Sequence, residues 1–155
     1  KERNIRMEEF NTLEKVKKLF EEKNCIGKEN NYFVLMKDYR KYSGAISGMK
    51  YPFEALLINQ TEDGIGFFYL VQSKISLKVE LKSLVVNKDS FTFLKNDFIA
   101  SIEVKKFALL NKKLKSVVIK TIDRKKYYLY AKINDDTLPY QNENFSKFIE
   151  KYSKI

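Results

Sequence analysis

The sequence predicts an α+β fold that is mainly antiparallel β, closed by a C-terminal helix and preceded by an N-terminal helical extension. Three observations carry this expectation. Short β-rich runs follow one another from Phe53 to Ile133 with connections too brief for crossover helices, so neighbouring strands must pair antiparallel. Phe145, Phe148, Ile149 and Tyr152 then fall at i, i+3, i+4 and i+7, the stripe of an amphipathic helix. Near the start, Phe10, Leu13, Val16, Leu19 and Phe20 recur mostly three or four apart, with Glu and Lys between them.

Taken in order, the elements begin with a helix over about 8–23, ended by Cys25-Ile26-Gly27, where Gly27 suits a C-terminal cap. Residues 30–52 read as one short strand, Tyr32 to Met36, and an irregular connection punctuated by Tyr39, Tyr42, Gly44, Gly48, Tyr51 and Pro52. Ala55–Asn59 and Ile65–Val71 are strands joined by Thr61-Glu62-Asp63-Gly64, whose Asp-Gly is a hairpin signal. Ile75, Leu77, Val79 and Leu81 alternate with Ser76, Lys78, Glu80 and Lys82, the period-two pattern of a strand with one wet face. Phe91 and Phe93 mark a further strand between the turn-like 87–89 and 95–97. Strands over 99–107, 116–122 and 127–133 follow, and a polar link over 134–141 leads to the last helix, with Asn142 or Asn144 as its cap. On this reading residues 1–52 are an N-terminal helix plus irregular extension, and residues 53–155 form the main domain.

At 155 residues the chain has the size of one domain, and 44% hydrophobic with 32% charged residues is a globular composition. No histidine is present, so any site that needs imidazole as base or metal ligand is excluded. A single cysteine, Cys25, cannot form an intramolecular disulfide and reads as a buried, neutral thiol. No apolar run approaches the roughly 20 residues that span a bilayer. The opening KERNIRMEEF is charged without an apolar core and predicts no secretory signal; a cytoplasmic protein, able to associate with membranes, is expected.

The net charge is +10, and it is unevenly distributed. Residues 61–155 hold 18 basic and 11 acidic side chains, a net +7, and the 22 residues from Lys105 to Lys126 hold nine basic side chains against one acid, Asp123. If the strands at 99–107 and 116–122 pair, Lys105, Lys106, Lys112, Lys113 and Lys115 gather at one loop beside Ala108-Leu109-Leu110, while Arg124, Lys125 and Lys126 sit in the next turn, at the opposite end. Such lysines, with an apolar tip between them, suit anionic lipid head groups. Tyr127, Tyr128 and Tyr130 beside Arg124–Lys126 have the aromatic and basic interleaving on which single-stranded bases stack, although alternating tyrosines more often straddle a sheet. The plain alternative is a solvated, solubilising face.

The order of seven strands and one C-terminal helix, with EALLINQTEDGIGFFYL, FIASIEVKKFALLNKKLKSVVIKTIDRKKYYLYA and ENFSKFIEKYSK as its residues, resembles a bacterial PH-like domain (pleckstrin-homology superfold) over about residues 53–154. Leu56–Ile58 would open the first strand, Ile99 and Ile102 the fifth, and Phe148 would face the core from the helix. The resemblance implies a seven-stranded bent sandwich or partly open barrel capped by the C-terminal helix, and a role as an interaction module. Eukaryotic members often bind phosphoinositides near the first hairpin, but here that hairpin, Thr61–Gly64, is acidic, and two carboxylates would repel a lipid phosphate.

Catalytic signatures are missing from the sequence. Glu21-Glu22 and Asp135-Asp136 have no calcium-loop spacing, and Gly64-Ile65-Gly66 sits in a hairpin rather than before a helix. The expected function is therefore non-enzymatic binding without a cofactor or metal: protein–protein binding or oligomerisation, with an unidentified protein or itself, through the N-terminal helix or an exposed sheet edge. Peripheral binding to an anionic membrane through the basic loops, or nucleic-acid binding, is the alternative.

Overall fold

A computed structural model describes residues 7–42, 53–72 and 80–152. Its strands are β1 (Asn30–Lys37), β2 (Ala55–Thr61), β3 (Gly64–Gln72), β4 (Leu84–Lys95), β5 (Ile99–Lys106), β6 (Leu114–Thr121) and β7 (Lys126–Lys132). They form one open antiparallel sheet in the order β4-β3-β2-β1-β7-β6-β5. Helices α1 (Leu13–Glu21) and α2 (Gln141–Tyr152) complete an α+β fold.

Membership of the sheet differs from the expectation. The segment at 30–37, expected as a short strand ahead of the main domain, is its central strand: β1 pairs with β2 from Asn30↔Thr61 to Met36↔Ala55 and with β7 at Met36↔Tyr130 and Lys37↔Leu129. A division of the chain at residue 53 would cut through this ladder. The alternating run at 75–79 and the stretch 43–52, with Gly44, Gly48, Tyr51 and Pro52, lie outside the described residues. The turn expected at 87–89 is instead part of β4, where Phe67↔Thr92 gives way to Tyr69↔Asn87. This bulge is held by Ser90, whose Oγ accepts from Tyr69 N–H at 2.8 Å and donates to the Asn87 carbonyl at 2.6 Å.

Both faces of the sheet are covered, which explains why β2 and β3 are buried along nearly their whole length instead of alternating. One face packs Phe33, Leu35, Leu56, Ile58, Phe67 and Leu129 against Phe145 and Phe148 of α2. On the other, Tyr32, Val34, Leu57 and Phe68 meet Phe10, Val16 and Phe20 of the N-terminal segment. Phe20 is fully buried, with its ring 5.1 Å from Phe68 and 5.8 Å from Tyr32.

Helix α1 is shorter than expected and is capped differently. Thr12 is its N-cap, accepting from Lys15 N–H at 3.3 Å, so Phe10 packs from a turn before the helix. Its C-terminal reversal falls on Asn24, in the left-handed region at φ 57°, rather than on Gly27. Gly27 serves a close approach: a Cβ there would stand 2.6 Å from Glu62 Oε1. Tyr140 Oη donates to the Phe10 carbonyl at 2.6 Å, tying this segment to the chain just before α2.

The link between β1 and α2 is polar and buried. Because β1 meets β7 only at its end, the groups of Val34 have no strand partner on that side; the Gln141 carboxamide takes the place of one, with Val34 N–H donating to Oε1 at 2.8 Å and Nε2 donating to Val34 O at 2.9 Å. Asn144, expected as a helix cap, continues this substitution from the first turn of α2, donating to the Tyr32 carbonyl at 2.8 Å and accepting on its own carbonyl from Asn31 at 3.0 Å.

Two substitutions test this packing. Gln141→Ala orphans a buried N–H and a buried C=O, each costing about 1–3 kcal/mol, so a loss of about 2–6 kcal/mol is expected in urea unfolding. Phe20→Ala is expected to cost about 3–5 kcal/mol in one cooperative transition, and an early separate transition of the N-terminal segment would overturn the shared core.

Candidate functional site

The hairpin of β5 and β6 runs in register to Lys106↔Lys115, leaving 107–113 as its loop. Lys105, Lys106, Lys112 and Lys113 are exposed around it, and Lys115 is half-buried. At the tip, Leu109 is 80% and Leu110 93% exposed. Large apolar side chains that project this far gain nothing from the fold. Lys106 also lies directly opposite Lys115, a like-charged cross-strand pair that weakens the hairpin unless an anion comes between. Lys105 is partly neutralised, since Glu103 lies 3.4 Å from it and 3.6 Å from Lys120.

The loop is tied down at both ends. Asn111 Oδ1 accepts from Lys113 N–H at 3.0 Å, and the Lys113 carbonyl accepts from Ile133 N–H at 2.8 Å, which anchors the second half to the end of β7. In the first half, the Phe107 ring lies 4.7 Å from that of Tyr130 on β7 and carries the Arg40 guanidinium 3.7 Å from its centroid. Arg40 Nη1 also donates to the Phe107 carbonyl at 2.9 Å. Behind it, Nε and Nη2 donate to the two oxygens of Asp38 at 2.9 Å each, and that carboxylate is buried. Neither Asp38 nor Arg40 stands out in the sequence, because a contact spanning 67 residues leaves no local pattern.

Arg124 and Lys125 occupy the turn between β6 and β7 and Lys126 opens β7, at the far end of these strands from the 107–113 loop. All three are exposed, so the basic side chains form two patches. Arg124 takes the left-handed conformation, φ 72°. This second patch contains its own anion: Asp123 accepts from Thr121 Oγ1, and that bond, with backbone N–H groups behind it, holds its carboxyl below the usual range. One apolar side chain, Ile122, is 61% exposed there. Nor do the tyrosines form an open platform. Tyr127 is buried against Phe67, with ring centroids 5.4 Å apart, while Tyr128 and Tyr130 face the other way, under Tyr42 and Phe107 respectively.

A third feature is a cleft of about 730 Å³ where the end of α1 meets the β2–β3 hairpin and β4. Its walls include Lys23, Lys95, Asp63 and Asp97, with Phe91 and Phe93 as the apolar side. Glu62 of the hairpin is already engaged: it accepts from the backbone N–H groups of Lys28 and Glu29 at 2.9 Å each, which lowers its carboxyl pKa. Asp135 likewise only closes a turn, accepting from Thr137 N–H and Oγ1. Among the described residues no three potential ligands gather as a metal centre.

Comparison with protein-family models, curated proteins and solved structures finds no match. The chemistry of the sites therefore rests on their own geometry. Among the described residues no helix is long and apolar enough to cross a membrane.

Cys25 lines the cleft but is buried, and desolvation pushes its thiol up to about 11. A thiol protonated at pH 8 attacks poorly. Native protein is therefore expected to react with a disulfide reagent at least about tenfold more slowly than the same chain in denaturant, since the unfolded thiol titrates near 8.5. Equal rates would show an open thiolate.

Proposed function

We propose that the protein is a non-enzymatic interaction module of the PH-like type that docks reversibly on an anionic membrane surface through the β5–β6 loop. The observation that carries this reading is the adjacent pair Leu109 and Leu110, 80% and 93% exposed, ringed by Lys106, Lys112 and Lys113. A protein partner would take the leucines into a pocket and a polyanion alone would use only the lysines. A lipid surface offers acyl chain and phosphate at the depths the two side-chain types reach. The open seven-stranded sheet with its C-terminal helix supports the PH-like assignment once β1 at 30–37 is taken as its first strand, which makes Leu56–Ile58 part of the second. The acidic Thr61–Gly64 hairpin, with Glu62 committed to the backbone of Lys28 and Glu29, argues against placing a phosphate there.

Magnitudes set the expected strength. Each lysine near an anionic surface contributes about 1 kcal/mol, and full burial of a leucine about 1.5–3 kcal/mol. Three lysines that pair with no carboxylate among the described residues and two partly inserted leucines reach about 6–7 kcal/mol, a dissociation constant on the order of 10 μM, tunable by salt.

Co-sedimentation with neutral and phosphatidylserine-containing vesicles at two salt concentrations tests this reading. Binding to the anionic vesicles at low salt is expected, with neutral vesicles bound weakly or not at all. Reversing Lys112, Lys113 and Lys115 to Glu is expected to abolish it, because each lost lysine costs about fivefold before the added repulsion counts. Leu109→Ser with Leu110→Ser is expected to weaken binding at least about a hundredfold while leaving the unfolding midpoint in place, since neither side chain is packed. Failure of the wild-type protein to sediment with anionic vesicles at low salt overturns the proposal and returns the search to a protein partner.

A further inference from the structure

The β5–β6 tip is exposed at its leucines and yet held at its base by a residue from a different part of the sheet. Asp38 leaves the end of β1 with its N–H bonded to the Tyr128 carbonyl at 2.9 Å, and its side chain is 2% exposed. That fixed carboxylate grips Arg40 through two side-chain bonds and also accepts from Arg40 N–H at 3.1 Å, so the guanidinium has little freedom. From this mount it meets the first residue of the loop twice, on the face of the Phe107 ring and at its carbonyl. Phe107 in turn lies on Tyr130. The stack Tyr130, Phe107, Arg40 therefore fixes where the chain leaves β5 for the tip.

We infer that Arg40 is a positioning residue for lipid docking: braced by Asp38, it holds the β5–β6 loop so that Leu109 and Leu110 are presented together before any surface is met. The inference rests on the membrane reading of the tip. Ordering a loop at the moment of binding subtracts from affinity, and a loop ordered in advance avoids that cost. An arginine suits the task and a lysine does not. Only the planar guanidinium offers a bidentate edge to Asp38 while its face lies on an aromatic ring. Arg40 is also itself cationic, so its charge and its geometry must be separated experimentally.

Arg40→Lys makes that separation, and Phe107→Leu supplies a second variant that leaves the Asp38–Arg40 pair and every charge in place. Two readouts apply to each variant. Amide hydrogen exchange over residues 108–112, measured without vesicles, is expected to speed up in both variants relative to wild type. Affinity for phosphatidylserine vesicles is expected to fall about three- to fivefold in both, with the salt dependence unchanged because no charge is lost. Wild-type exchange at 108–112 in Phe107→Leu, or wild-type vesicle affinity in both variants, overturns the inference. If the wild-type protein does not bind vesicles, the docking role falls with the membrane reading, and the exchange data still decide whether Arg40 orders the loop. If Arg40→Lys fails to fold, Phe107→Leu carries the test alone.

Discussion

The arrangement of the whole sheet turns on the place where β1 parts from β7. Strand pairing there ends after two residues, and a buried strand that loses its neighbour exposes backbone groups that no water reaches. Gln141 resolves this by presenting one carboxamide to both the N–H and the C=O of Val34, as a passing strand would. Because Gln141 is the first residue of α2, the same contact sets where that helix starts and aims Phe145 and Phe148 at Phe33. Polar substitution and apolar packing are thus one event: the helix fills the gap between two halves of the sheet and seals the face it covers.

From that junction the other features follow. With α2 on one face, the opposite face of β1–β3 still needs cover, and the N-terminal segment supplies it through Phe10, Val16 and Phe20. Phe10, Val16, Phe20 and Cys25, all before β1, are therefore part of the core. The segment also protects an end strand, since Glu9 accepts from Val86 N–H at 2.8 Å, where β4 has no further neighbour among the described residues. At the other end of β1, Asp38 passes the order of the central strand to Arg40 and so to the β5–β6 loop.

Local signals in the sequence reach a definite distance into this structure. The Asp-Gly hairpin at 61–64, the strands at 55–61, 64–72, 99–106, 114–121 and 126–132, and the helix at 141–152 all carry pattern within a single window, and all are legible. The lysines of 105–115 are legible as a loop cluster for the same reason, because hairpin register follows from local chain order. The place of β1 is not. Its apolar run has no alternation to show a face, and its partners, β2 and β7, lie up to about a hundred residues away. Gln141 reads as part of a polar link because a carboxamide that replaces a strand looks the same in sequence as one in a loop. Arg40 and Asp38 are hidden likewise: a short Asp-x-Arg is unremarkable until Phe107 is folded against it.

Charge alone does not distinguish the two basic patches, and the difference between them lies in what surrounds the cations. At 122–126 the three basic side chains lie in or beside the turn that holds Asp123, whose carboxyl is held ionised by Thr121 and the backbone, and one exposed isoleucine. At 107–113 the loop contains no acid, Glu103 engages Lys105 and Lys120, and among the described residues no carboxylate pairs with Lys106, Lys112 or Lys113. Lys106 faces Lys115 across the hairpin, and the two leucines face outward. Each feature is a small cost in the isolated protein, from like-charge repulsion and from apolar area left in water. An anionic apolar surface relieves them together. A solubilising surface has no need of exposed leucines, and a packing surface has no need of unpaired lysines; their coincidence on a loop whose base is held by Arg40 is what separates this end of the sheet from a merely solvated one.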